Sequence, residues 1–111
     1  MSNLTVNGRE IPLDKEGYLQ DLDDWSRDVA EELAHAEKIE LTNAHWEVIE
    51  LLQEFYRQFE LSPAMRPLVK FIGQRLGLEK GRSIYLMQLF PPSPAKVASK
   101  IAGLPKPTNC L

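Results

Sequence analysis

The chain has 111 residues, 43% hydrophobic and 26% charged, which fits one small globular domain with a core of its own. No stretch approaches the roughly 18 consecutive apolar residues of a membrane span. Met1 to Glu10 lacks the basic-then-apolar pattern of a signal peptide, so a cytoplasmic protein without membrane contact is expected. One cysteine excludes an internal disulfide and a cysteine-rich zinc site, and a reducing compartment would keep such a thiol usable.

The formal net charge of −3 masks an uneven distribution. Residues 1–60 hold 15 Asp and Glu against 5 Lys and Arg, a balance of −10. Residues 61–111 hold one acid, Glu79, against 8 bases, a balance of +7. Either the two halves are simply solvated unevenly, or the basic half meets an acidic partner or a nucleic acid.

In chain order, Leu4-Thr5-Val6 and Arg9-Glu10-Ile11 flank Asn7-Gly8, the preferred pair for a type I′ turn, and predict a short β-hairpin. A lone hairpin is marginal in water, so it must pack on helices. Leu22, Trp25, Val29 and Leu33 recur at helical spacing and predict a helix from about Asp23 to Glu37, with Asp21, Asp23 and Asp24 at its positive end. Thr42 is a good N-cap for a helix from Asn43 to about Phe59. Its stripe of Trp46, Ile49, Leu52, Tyr56 and Phe59 is widened by Val48, Leu51 and Phe55, an arc that predicts the central helix of the core with Trp46 largely buried. Glu47, Glu50 and Glu54 are expected on its solvated face.

Ser62-Pro63 reads as an N-cap followed by proline at the first helical position, with Met65, Leu68, Val69, Ile72 and Leu76 facing the core, Pro67 fifth in the helix and Gly77 as the stop. A shorter helix is expected from about Lys80 to Leu89, ended by Pro91 and Pro92. Ser93-Pro94 repeats the start signal for a last helix that runs to about Ala102 and stops at Gly103. The sum is a mainly α domain over residues 1–103, with five helices and an N-terminal hairpin. Beyond it, Pro105 and Pro107 forbid helix and favour an extended state, so 104–111 is expected to be a mobile arm reaching roughly 25 Å.

The arm carries Cys110. Free cysteines are often buried small hydrophobes, and chain ends are often without function, yet a cysteine at this position is poorly placed for a core. A thiolate is the nucleophilic form, and with a pKa near about 8.5 little of it exists at neutral pH without help from cations. Lys106 on the arm and Arg82 in the basic half are the candidate electrostatic helpers, with ordinary surface charge as the plain alternative for each. His35 and His45 are ten positions apart with no cysteine near them; His35 is expected to be an exposed cation at a helix C-terminus and His45 structural, so no metal or other cofactor is expected.

Several segments resemble the DsrC/TusE family in the same order along the chain. These are Glu16-Gly17-Tyr18-Leu19, His45-Trp46-Glu47-Val48, Ser62-Pro63-Ala64-Met65-Arg66, Leu89-Phe90-Pro91, and the whole run from Pro91 to Leu111. DsrC proper, the partner of dissimilatory sulfite reductase, carries two cysteines on its arm. The second lies where this sequence has Ser99, so the redox-pair chemistry does not carry over. A single cysteine at position 110 is the pattern of the TusE branch. That resemblance implies a sulfurtransferase in which Cys110 accepts persulfide sulfur and passes it toward 2-thiouridine in tRNA. It further implies a TusBCD-like donor complex and an MnmA-like tRNA thiolase as acceptor, with tRNA met only through the acceptor.

Two other classes remain open. Ser62 to Phe90 contains two helices around a glycine turn and carries Arg66, Lys70, Arg75, Lys80 and Arg82, which resembles a DNA-binding helix-turn-helix. That reading leaves Cys110 unexplained, and such helix pairs are common packing. Cys110 is also compatible with a thiol sensor capped reversibly by oxidation or glutathione.

Overall fold

The computed structural model describes residues 2–107. Strand β1 (Ser2–Val6) pairs antiparallel with β2 (Arg9–Leu13) in the register Leu4 to Ile11, and Asn7 and Gly8 take the two positive φ angles of the tight turn. Val6, Ile11 and Leu13 point inward onto the helices, and Asn7 Nδ2 donates to the Asp28 carboxylate at 2.8 Å. The hairpin is therefore held by tertiary packing rather than by its own ladder.

Five helices follow: α1 (Arg27–Ala36), α2 (Asn43–Phe59), α3 (Met65–Leu76), α4 (Ser83–Leu89) and α5 (Pro94–Ile101). Their number and order match the sequence reading, and no described helix is long and apolar enough to cross a membrane. Three start points differ, each for a local reason. Helix α1 begins at Arg27 because Ser26 takes the N-cap, its side chain accepting from the Val29 N–H at 3.2 Å. Before it lies a 3-10 turn over Leu22–Asp24, and Trp25 is extended. Helix α3 begins at Met65, with Ala64 at the N-cap, so Ser62 and Pro63 precede it. Pro67 is then the third helical residue, where its missing N–H costs no hydrogen bond. Helix α4 begins at Ser83, three residues later than the spacing suggests.

The centre of the fold also differs from the expectation. Helix α5, not α2, packs against α1, α2, α3 and α4 together. Ala95, Val97, Ala98, Ser99 and Ile101 are all buried on it. Its small residues let four neighbours approach closely, and only eight residues are needed. Helix α2 supplies Val48, Ile49, Leu52 and Phe55 to the core, but its stripe ends at the surface. Phe59 is 48% exposed, and Trp46 is half-buried with the Arg27 guanidinium 3.9 Å above its ring. Ser99, which the sequence reading also places in the last helix, sits inside α5 with no exposure, and its hydroxyl has no hydrogen-bond partner among the described residues.

The charge asymmetry is partly resolved inside the molecule. Arg75 pairs with Glu54, Lys80 with Glu47 at 2.9 Å, Lys100 with Glu37 at 3.0 Å and Lys106 with Glu16 at 2.7 Å. Each base comes from the second half and each acid from the first. Two members of the supposedly solvated acidic face of α2 thus anchor α3 and the loop after it, and the Arg75 guanidinium holds the Glu54 carboxyl below its usual range.

Candidate functional site

The end of α5 leads directly into the segment that approaches Cys110, and its geometry is closely specified. The Gly103 N–H donates to the Lys100 carbonyl at 3.0 Å and the Leu104 N–H to the Ser99 carbonyl at 2.9 Å. This is a Schellman ending, which needs a left-handed residue, and Gly103 supplies φ of 75°. A Cβ on Gly103 would collide with Cβ, Cγ and Cδ1 of Trp25. The extended backbone at Trp25 places that ring against Gly103, and its Nε1–H donates to the Ile101 carbonyl at 2.9 Å. From α2, Gln53 Nε2 donates to the Ala102 carbonyl at 3.0 Å.

The chain then runs as a strap over the body. Leu104 is 6% exposed and Pro107 is fully buried. The Ser62 hydroxyl, itself buried, donates to the Pro105 carbonyl, and Lys106 Nζ reaches the Glu16 carboxylate. Farther back, the buried Tyr18 hydroxyl donates to the Lys96 carbonyl at 3.2 Å. Side chains from four separate segments therefore hold the stretch from Ile101 to Lys106.

The sequence reading starts a mobile arm at Leu104. The described part of it, Leu104 to Pro107, lies against the body instead. The two prolines do keep it from forming helix, but the backbone carbonyl freed at Pro105 is satisfied by Ser62 rather than by solvent. Residues 108–111, with Cys110, lie outside the described residues. Chain geometry still sets a limit: three residues span at most about 11 Å, so Cys110 is tethered to within that distance of Pro107.

Of the predicted helpers, Lys106 lies on the strap and pairs with Glu16. Arg82 is exposed at the N-cap of α4, and no hydrogen bond or ion pair joins it to the strap among the described residues. His45 is structural. Its Nδ1 accepts from the Thr42 N–H at 3.1 Å and its Nε2 lies 2.8 Å from the Leu89 carbonyl, so Nε2 carries the proton of a neutral ring. Burial holds its pKa below the usual histidine value, against the opposing pull of the Leu89 carbonyl. The ring also meets Phe90 edge-on at 5.1 Å. In the helix pair α3–α4, Arg75 and Lys80 are already occupied by Glu54 and Glu47, which removes two of the five bases offered to DNA.

The strap holders Trp25, Gln53 and Ser62 carry no obvious signal as such. Ser62 sits in a quoted family segment but reads locally as a helix cap. Glu16, Tyr18, His45, Ser62 and Leu89 all lie in the segments that carry the resemblance, and in space all but His45 and Leu89 touch α5 or its extension directly.

A family model described as DsrC like protein matches residues 5–111. The chain belongs to the DsrC-like family. Two relatives are similar along its whole length. The sulfurtransferase TusE of Photorhabdus laumondii is 53% identical over 111 residues, all of both chains. The sulfurtransferase TusE homolog of Haemophilus influenzae is 52% identical over 108 residues, 97% of this chain and 99% of its own. Among solved structures of the family, the DsrC of Allochromatium vinosum matches with a TM-score of 0.89 at 46% identity, covering 99% of this chain and 98% of that one. The oxidized DsrC gamma-subunit of dissimilatory sulfite reductase from Archaeoglobus fulgidus gives a TM-score of 0.86 at 39% identity, covering 98% and 99%. The DsrC-like fold is thus a hairpin and five helices built around α5, which carries the strap toward the single cysteine.

Proposed function

We propose that this DsrC-like chain is a sulfurtransferase that carries sulfur as a persulfide on Cys110. The observation that carries the reading is the strap. Side chains from four segments of the body hold the stretch from Ile101 to Lys106, and the only thiol of the sequence follows four residues later. Such an arrangement tethers a nucleophile to a rigid body by a short length of chain. Full-length similarity to proteins named sulfurtransferase TusE supports the same reading.

The step is thiol exchange. The Cys110 thiolate attacks the outer sulfur of a donor cysteine persulfide. A sulfur–sulfur bond forms on Cys110 as the donor's breaks, the donor leaves as a thiolate, and Cys110 holds the transferred sulfur with its proton. No net oxidation occurs. Rate depends on thiolate fraction, leaving group and access. Lys106 and Arg82 are the cations proposed to favour the thiolate. A cysteine of the acceptor then takes the outer sulfur in the same way. By likeness to TusE, the donor is a TusBCD-like complex and the acceptor an MnmA-like tRNA thiolase in the cytoplasm, with tRNA met through the acceptor.

Incubation with a persulfidated donor protein followed by intact mass tests this. The wild-type chain should gain one sulfur atom, removable by reductant, and Cys110→Ser should gain none. A gain that persists in the serine variant removes Cys110 from the role.

A further inference from the structure

A groove of about 270 Å3 opens between the start of α3, the outer face of α4 and the start of α5. Its walls are mostly carbon: Met65, Met87, Pro92, Pro94 and Ala95. Met87 is 43% exposed, and Ile84, one turn before it on α4, is 66% exposed. Small-molecule sites usually hold roughly 300–1,000 Å3 and enclose their ligand. This groove is smaller and open, with room for one large apolar side chain.

Its rim is distinguished by charge. The second half of the chain has 8 Lys and Arg. Four are answered by Glu54, Glu47, Glu37 and Glu16, as described above. The other four, Arg66, Lys70, Arg82 and Lys96, have no ion pair among the described residues. One of those four is in the lining, and two more are chain neighbours of lining residues. Lys96 lines it, Arg66 follows the lining residue Met65, and Arg82 precedes the lining residue Ser83. Lys70 is one turn beyond Arg66 on α3. Cations left without an ion pair thus lie in the lining, at Lys96, and beside it along the chain, at Arg66 and Arg82, where Met87 is exposed.

We infer that this groove docks an acidic protein segment, an amphipathic helix that inserts an apolar side chain between Met65 and Met87 while its carboxylates meet Arg66, Arg82 and Lys96. A helix seated in an apolar groove is a common recognition mode, and methionine walls adapt to the inserted side chain. Charge on the rim gives steering and orientation, and the apolar floor gives hold. Nucleic acid suits the rim but not the floor, because its phosphates leave Ile84 and Met87 wet and the groove offers no aromatic ring for stacking. The inference does not depend on the sulfur chemistry, since it concerns a surface on α3, α4 and α5.

Two synthetic helical peptides test it, both with leucines at i, i+3, i+4 and i+7, one with glutamates elsewhere and one with lysines. Each is titrated into the full reduced chain and followed by backbone amide shifts, beside a short RNA hairpin. The glutamate peptide should shift Met65, Arg82, Ile84, Met87 and Lys96, bind at least about tenfold tighter than the lysine peptide, and weaken with salt. Met87→Glu and Lys96→Glu should each weaken it about tenfold while the remaining spectrum stays folded. Equal binding of the two peptides, shifts elsewhere on the molecule, or tighter binding of the RNA at these residues would overturn the inference. So would binding seen only after removal of residues 108–111, which would make the chain's own end the occupant, or self-association through the same residues.

Discussion

The Ser62 hydroxyl donates to the Pro105 carbonyl, 43 residues further along the chain. This bond joins the loop between α2 and α3 to the strap that leads toward Cys110. Pro105 has no N–H and sits outside any helix, so its carbonyl would otherwise need water or stay unpaired. Ser62→Ala should therefore destabilise the protein by about 0.5–1.5 kcal/mol, the net contribution of one hydrogen bond whose acceptor water can reach. Urea unfolding measures the loss, and the Lys106 amide should exchange faster than in the wild-type protein. Unchanged stability and unchanged exchange would show that the strap does not depend on this bond.

Gly103 meets two demands at once, a positive φ and a clear path for the Trp25 ring. Gly103→Ala should cost about 1–2 kcal/mol for the left-handed backbone alone, with the collision added. In a Trp25→Ala background the Cγ and Cδ1 collisions disappear and only the 2.9 Å approach to the remaining Cβ is left, so the same substitution should cost distinctly less. A double-mutant cycle reads this coupling directly. Additive costs would mean that Trp25 does not press on Gly103.

His45 links the start of α2 to the end of α4 as a neutral ring. Its pKa is lowered in the folded protein, so the unfolded chain binds the proton more readily. The stability it contributes is fully present above the ordinary value of 6.5 and is lost as pH falls below that toward the folded value. A proton on Nδ1 would face the Thr42 N–H and break the cap. Unfolding free energy should thus fall on acidification through this window, and His45→Gln should flatten that part of the profile. A profile for His45→Gln that matches the wild-type one would assign the pH dependence to other groups.

Ser99 is fully buried in α5 and its hydroxyl lacks a partner among the described residues. Ser99→Ala removes the unpaired group and leaves almost the same volume. It should be neutral or stabilise by about 1 kcal/mol. A loss of stability in urea would reveal a hydrogen bond to the hydroxyl in solution.

These four sites show which parts of the fold were legible in the sequence. The Asn7-Gly8 turn, the Thr42 start of α2 and the Pro94–Gly103 limits of the last helix and its stop follow from backbone preferences that act locally. The existence of five helices follows from apolar spacing. The centre of the core did not, because α5 is short and packs through alanines and Ser99, so its apolar signal is smaller than that of α2. Trp46 looked buried by its stripe, but period alone cannot say where along a helix the core ends. Ser62-Pro63 carries a real capping pattern, and a contact 43 residues away overrides it. The seat of Leu104 to Pro107 was hidden for the same reason: prolines announce an extended chain but not what it rests on. Cys110 was legible from its position and from the family resemblance, whereas the residues holding the strap became visible only in three dimensions.

The most direct test of the account is transfer of labelled sulfur from a persulfidated donor to this chain and onward to an acceptor thiolase. Cys110→Ser keeps the side chain's size while removing the easily ionised sulfur. The wild-type protein should take up label on Cys110 and pass it on, and the serine variant, with unchanged unfolding in urea, should do neither. Uptake by Cys110→Ser at the wild-type rate would contradict the carrier role.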